Sequence, residues 1–283
     1  MYLLEAAVYK RTVAWSALVL HGSNAVADRL GALLGRQIEI ALGDIPAQSV
    51  GLNMVVSTML DVPFTSQWLR WPAIASAARK HTRSAPQNIV TAYECASWGY
   101  VLRYAKNCAP TAPYIVISIL DLNIFGLSYW RNNSMWGDSG FGLTTIVLRC
   151  SQDDFIHCQT SKSANAFGEF CVDLRTVMTV KKDLRVCAPY FPPNIATLYD
   201  RLLPSERLLT NRNADYGHSF GSDPWIALIE HRQRGLDGPS DHYLATSIAL
   251  SGYWCFAEVE IADAGRFILS EAESEDELVE AAA

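Results

Sequence analysis

Residues 91–105 read TAYECASWGYVLRYA. The β-branched and apolar run NIVTAY (88–93) has strand character, and SWGYVLRYA after Cys95 carries a helical period, so a single cysteine marks a direct strand-to-helix handover. Working outward, VGLNMVVSTML (50–60) reads as a strand and WPAIASAARKH (71–81) as a helix opened by Pro72. YIVISIL (114–120) is a third buried strand, and WGDSGFGLTTIVLRC (136–150) is a glycine-hinged turn running into a fourth. Strand-length apolar runs alternating with helical periods predict an α/β fold whose sheets are covered on both faces.

The second half repeats the scheme in other words. DLRVCAPY (183–190) is strand-like, NIATLYDRLL (194–203) is helical, and SDPWIALIEHRQ (222–233) opens with Ser222 or Asp223 as cap and Pro224 in the first turn. HYLATSIAL and YWCFAEVEI close the chain as two strands separated by Ser251 and Gly252. No proline- or glycine-rich linker divides the halves, which predicts one body with internal pseudo-symmetry. The expected division is 1–150, 151–270 and an acidic tail, 271–283.

Half of the 283 residues are apolar and 18% are charged, the balance of a globular chain with a sizeable core. The six carboxylates Glu271, Glu273, Glu275, Asp276, Glu277 and Glu280 account for the whole formal charge of −6, so the body is near neutral and the tail reads as a solvated terminus. No basic stripe with interleaved aromatics suggests a nucleic-acid surface. No apolar run reaches the roughly 18–20 residues of a membrane span. Seven cysteines without CxxC spacing indicate neither a zinc site nor a disulfide framework, which fits a reducing cytoplasm. Lys10 and Arg11 ahead of TVAWSALVL loosely imitate a signal peptide, but SNAVADRLGALLG (23–35) reads better as a capped amphipathic helix after a short strand.

A cysteine in the first turn of a helix sits where backbone N–H groups and the helix dipole favour thiolate, and that is the physical case for Cys95 as a nucleophile. The competing reading is a small residue buried for packing. Context favours the nucleophile. ECASWGY, the turn WGDSGFG, the segment APYFPPNIATLYDRL, and the pair YGHSFGSDPWIAL and SIALSGYWCFAEVEI follow one another as such motifs do in the thiolase-like superfamily. Over roughly residues 45–262 the chain resembles its ketoacyl-acyl-carrier-protein synthase III and chalcone synthase branch. The resemblance implies two similar halves in a five-layer αβαβα fold, usually a homodimer. It also implies a buried cysteine acylated from a CoA or phosphopantetheine-linked carrier-protein thioester, with no permanently bound cofactor and no metal.

Against that pattern, the position of the family's base histidine is held by Phe191 in FPPN, which keeps only Asn194, and the position of its catalytic asparagine is held by His218 in YGHSFG. Claisen condensation needs donors that stabilise an enolate, and one histidine cannot readily replace two groups. Acyl transfer needs a thiolate, a base and an oxyanion hole, so Cys95 and His218 are the expected catalytic pair, with the backbone N–H groups of Cys95 and Gly252 as the oxyanion hole. Phe191, Asn194 and Glu94 are candidate substrate contacts. Glu94 beside the thiol works against its ionisation. The other reading of His218 is a loop histidine hydrogen-bonded to Asp223. His21, His81, His157, His231 and His242 match no site position. Asp138 with glycines 137, 140 and 142 shapes a tight turn, because no lysine or serine completes a phosphate loop. The tryptophans are core, with one or two free to line a flat aromatic acyl pocket.

The interval from Cys95 to Asp138 is short for that family, implying fewer loops over the acyl tunnel and the dimer face. The expected function is acyl transfer in secondary metabolism, from acyl-CoA or an acyl carrier protein to a hydroxyl, amine or carbon acceptor. The alternative is a catalytically silent subunit that forms a heterodimer with an active ketosynthase-like chain.

Overall fold

The computed structural model describes residues 1–12, 19–108, 112–151, 153–236, 238 and 242–270. The acidic tail and most of the apolar stretch 12–20 lie outside the described residues.

The first half of the chain runs β1 (Tyr2–Arg11), α1 (Ser23–Leu42), β2 (Val50–Val56), α2 (Trp71–Ala78), β3 (Asn88–Val90), α3 (Ser97–Cys108), β4 (Tyr114–Asp121), a two-residue ribbon β5 (Asn132–Asn133) and β6 (Gly137–Asp138), then β7 (Gly142–Arg149). The second half runs β8 (Ile156–Thr160), α4 (Ala166–Val180), β9 (Leu184–Cys187), α5 (Pro193–Leu202), α6 (Asp223–Gln233), β10 (His242–Ile248) and β11 (Tyr253–Ser270). Most elements fall where hydrophobic period placed them. The expected strand 50–60 ends at Val56 because Ser57 turns the chain, its hydroxyl accepting from the N–H groups of Met59 and Leu60. The amphipathic helix continues seven residues past Gly35, since Ile38, Ala41 and Leu42 extend its apolar stripe.

Pairing repeats between the halves. β1 is antiparallel to β7, β7 antiparallel to β4, β4 parallel to β2, and β2 parallel to β3. Likewise β8 is antiparallel to β11, β11 antiparallel to β10, and β10 parallel to β9. The counterpart of β3 is reduced to one parallel bridge from Val186 to Leu208. Parallel pairing of β1 with β11 joins both sets into one nine-stranded sheet system.

Side-chain parity shows how the layers stack. Ile115, Ile117, Ile146 and Leu148 point to a central core shared with Trp98 of α3 and Trp225 of α6, as do Tyr243, Ala245 and Ala257 from the other set of strands. Val116, Val147 and Leu143 face outward onto Leu30, Leu34 and Ile38 of α1. Leu244 and Phe256 face outward onto Phe170 and Leu174 of α4. The order is therefore helices, sheet, helices, sheet, helices, with both sheets buried on both faces. Trp98 and Trp225 meet edge to face at 5.0 Å in the middle, a contact contributing about 1 kcal/mol beyond area burial. Gly99 lets α3 approach β11, because a Cβ there would lie 2.3 Å from that of Cys255. Among the described residues no helix is long and apolar enough to cross a membrane.

Candidate active site

Two turns meet at the N-terminal ends of the central helices. The chain leaves β3 and enters a 3-10 turn at Glu94–Ala96, with Glu94 at φ 46 in the left-handed region, before α3 begins at Ser97. Its counterpart is the 3-10 turn Phe220–Ser222, with Phe220 at φ 55, before α6. The turns pack on each other. Non-glycine residues held in this region cost of the order of 1 kcal/mol or more, and such backbone concentrates at functional sites.

His218 is fixed by the turn WGDSGFG. Its N–H donates to the Asp138 carbonyl at 2.7 Å and its carbonyl accepts from Gly140 N–H at 2.8 Å. Gly217, at φ 69, makes this close pairing possible: a Cβ there would lie 2.7 Å from the Asp138 oxygen. The turn reading of Asp138 and its glycines thus acquires a function, to hold the histidine backbone.

The His218 ring is 3% exposed, and its Nδ1 lies 2.7 Å from Asp223 Oδ2 and 3.1 Å from the Tyr190 carbonyl. Both partners are acceptors, so Nδ1 carries a proton and Nε2 is the nitrogen left free of them. Asp223 is fully buried and also accepts from the N–H groups of Tyr190 (2.8 Å) and Ser219 (2.7 Å). Burial raises its carboxyl above the usual range, opposed by His218 and these donors. The expected helix cap is therefore used otherwise: Asp223 orients the histidine, and the buried Ser222 hydroxyl has no hydrogen-bond partner among the described residues.

Cys95, His218, Phe191 and Glu94 line one cavity of about 320 Å³. Phe191 stacks on His218 at 5.1 Å, and Phe220 packs on it at 4.8 Å. Trp130 and Trp136 add aromatic wall, as the sequence allowed for one or two tryptophans, and Phe167 and Ile195 extend it. Cys95 is 6% exposed, and the Thr58 hydroxyl donates to its sulfur at 3.9 Å. Burial pushes the thiol well above its usual range, and the carboxylates of Asp121, Glu94 and Asp223 push it further, against the Thr58 hydrogen bond. The thiolate expected from a helix-start position is not what the free protein holds, because desolvation and three carboxylates outweigh the helix dipole.

Two further expectations change. Asn194 is exposed on the first turn of α5 and does not line the cavity; Ile195 does. Gly252 N–H donates to the Ala249 carbonyl at 3.0 Å within its own turn, so it is not available to an oxyanion. Ala249 and Leu250 of that turn line the cavity, and Ser251 N–H meets Glu94 Oε2 at 3.3 Å. Sequence reading missed Thr58 and Asp121. Asp121 accepts from Thr58 N–H at 2.6 Å behind Cys95, and both residues belong to ordinary strand ends with no motif of their own.

No family model matches the sequence, and no curated protein matches it. Solved structures do match in shape. A 3-oxoacyl-(acyl carrier protein) synthase from Burkholderia xenovorans LB400 superposes with a TM-score of 0.66 over 95% of this chain and 97% of that one, at 13% identity. The acyltransferase ChlB3 gives 0.62 over 91% and 96%, at 15% identity. The 3-oxoacyl-(acyl carrier protein) synthase III of Pseudomonas aeruginosa PAO1 gives 0.59 over 91% and 97%, at 14% identity. With five alternating layers, repeated strand pairing and near-complete coverage of these chains, the protein has the thiolase-like fold of the ketoacyl synthase III type.

Proposed function

We propose that the chain is an acyltransferase in which Cys95 accepts an acyl group from a CoA or carrier-protein thioester and His218 serves as the base. The observation that carries this reading is that a buried cysteine and a histidine line one apolar cavity, with the histidine's Nδ1 held by a buried carboxylate.

Because the Cys95 thiol is protonated, its proton must leave as sulfur attacks the thioester carbonyl. His218 Nε2 takes that proton and returns it to the departing thiol of the donor. Asp223 stabilises the imidazolium formed in between, the service a buried carboxylate performs for any such histidine. In the second half His218 deprotonates the acceptor, the new bond forms at the acyl carbon as the C–S bond to Cys95 breaks, and the proton goes to the departing sulfur. The Cys95 backbone N–H, at the entrance to α3, serves the oxyanion. Aromatic walls exclude water and so protect the thioester from hydrolysis. Phe191 offers no donor to a malonyl-derived enolate, which favours oxygen or nitrogen acceptors over carbon.

The elevated Cys95 thiol and the Glu94 carboxylate beside it favour the second reading, a silent subunit paired with an active ketosynthase-like chain. Intact-protein mass spectrometry separates the two. After incubation with acetyl-, octanoyl- and benzoyl-CoA and their phosphopantetheine counterparts, the parent gains one acyl mass and Cys95→Ala gains none. No adduct from any donor sinks the enzyme reading and supports the silent subunit.

A further inference from the structure

Glu94 is the one carboxylate among the described residues lining the cavity, and no lysine or arginine lines it. Its position is built. The backbone is held at φ 46, and Oε2 accepts from Ser251 N–H, so the carboxylate bridges the Cys95 turn and the 249–252 turn. Its charge reaches the cavity wall: after burial, it is the cause that raises the Tyr129 phenol, and Tyr129 packs on Trp130 and Trp136. Behind Cys95 stand two more carboxylates, Asp121 and Asp223, both fully buried. Trp130, Trp136, Phe167, Phe191 and Phe220 also line the cavity, and aromatic quadrupoles attract positive charge. An anionic substrate group, such as a malonyl carboxylate, faces Glu94 with no lysine or arginine in the lining to offset it, whereas an ammonium finds one fixed carboxylate and several aromatic rings.

We infer that the acceptor is a primary amine carried on an apolar or aromatic body, which enters as the ammonium and is held by Glu94. This rests on the acyl-transfer reading of the same site. The ammonium gives one proton to Glu94, which passes it to water. The resulting amine attacks the acyl carbon of the Cys95 thioester; the C–N bond forms and the C–S bond breaks. The second N–H proton travels through His218 Nε2 to the sulfur, leaving an amide, the Cys95 thiol and one proton released.

The test uses acyl-enzyme prepared with excess donor and desalted, then discharged by 2-phenylethylamine or 2-phenylethanol and followed by intact mass. Trimethyl(2-phenylethyl)ammonium serves as an unreactive cation and 3-phenylpropanoate as an anion of like size. The amine discharges Cys95, the quaternary cation competes with it, and the carboxylate does not. In Glu94→Gln the half-saturating amine concentration and the inhibition constant of the cation each rise about tenfold, the loss of one charge-assisted contact. Glu94→Asn, which tolerates left-handed backbone, behaves alike and excludes misfolding as the cause. Discharge by the alcohol in preference to the amine, or amine and cation constants unmoved in both variants, overturns the inference while leaving acyl transfer intact. Failure to acylate Cys95 at all overturns the reading beneath it.

Discussion

Asp121 illustrates what a single residue contributes. It ends β4 fully buried, with Oδ1 accepting from Thr58 N–H. Burial, against hydrogen bonds from Thr58 and the Gly221 backbone and the nearby His218, pushes its carboxyl up to about 6. A carboxyl raised in the folded state stabilises it most below the unfolded value near 4, and that stability is lost as pH rises through about 6. The rise of about two units corresponds to roughly 3 kcal/mol. Asp121→Asn keeps an acceptor for Thr58 and removes the charge. Urea unfolding should therefore show the parent losing stability between pH 4 and 7 relative to Asp121→Asn, with the variant the more stable above pH 7. Parallel curves contradict this. At this scale the sequence was legible only where a residue broke a pattern: Cys95 interrupts a strand-to-helix run and His218 sits where the family's asparagine is expected. Thr58 and Asp121 break none, and Gly252 was misassigned because one glycine cannot reveal which N–H its own turn consumes.

Elements were far easier to read, since hydrophobic period reports directly on which face is buried. β4 and β7 are nearly continuous apolar runs because helices cover both sides, and α2 and α5 start where prolines put them. The helix cap was the exception: Ser222 and Asp223 carry a cap's chemistry, but Asp223 is drawn to His218 by a stronger, charge-assisted bond. Packing between elements leaves less trace. Gly99 looks unremarkable in sequence, yet α3 and the Cys95 turn reach β11 only because it has no side chain. Gly99→Ala places a methyl within 2.4 Å of Cys255 Sγ, which must push α3 off the sheet. A loss of about 3 kcal/mol is expected, with slower Cys95 acylation as the turn moves. A melting temperature equal to the parent's contradicts that account.

The whole molecule depends on the halves being inseparable. β1 lies between β7 of its own half and β11 of the other, and Trp98 and Trp225 share the central layer. Calorimetry should therefore give one unfolding transition; two resolved transitions contradict a shared core. Alternation of strands and helices, and their repetition in two halves, made the architecture legible. The cavity was not, because residues as distant as Thr58, Phe167 and Leu250 meet there only through the layered packing. The same packing brings Cys95, ahead of α3, and His218, ahead of α6, into one cavity, so the proposed chemistry draws on both halves. The most direct measurement is the quenched-flow rate of Cys95 acylation by a saturating acyl-CoA at pH 7, in the parent and in His218→Ala. Since the thiol is protonated in the free protein, removing the base should slow acylation about 100-fold or more, with part of the rate recovered at alkaline pH as the thiolate forms. Equal rates in the two proteins would contradict the pairing of Cys95 with His218.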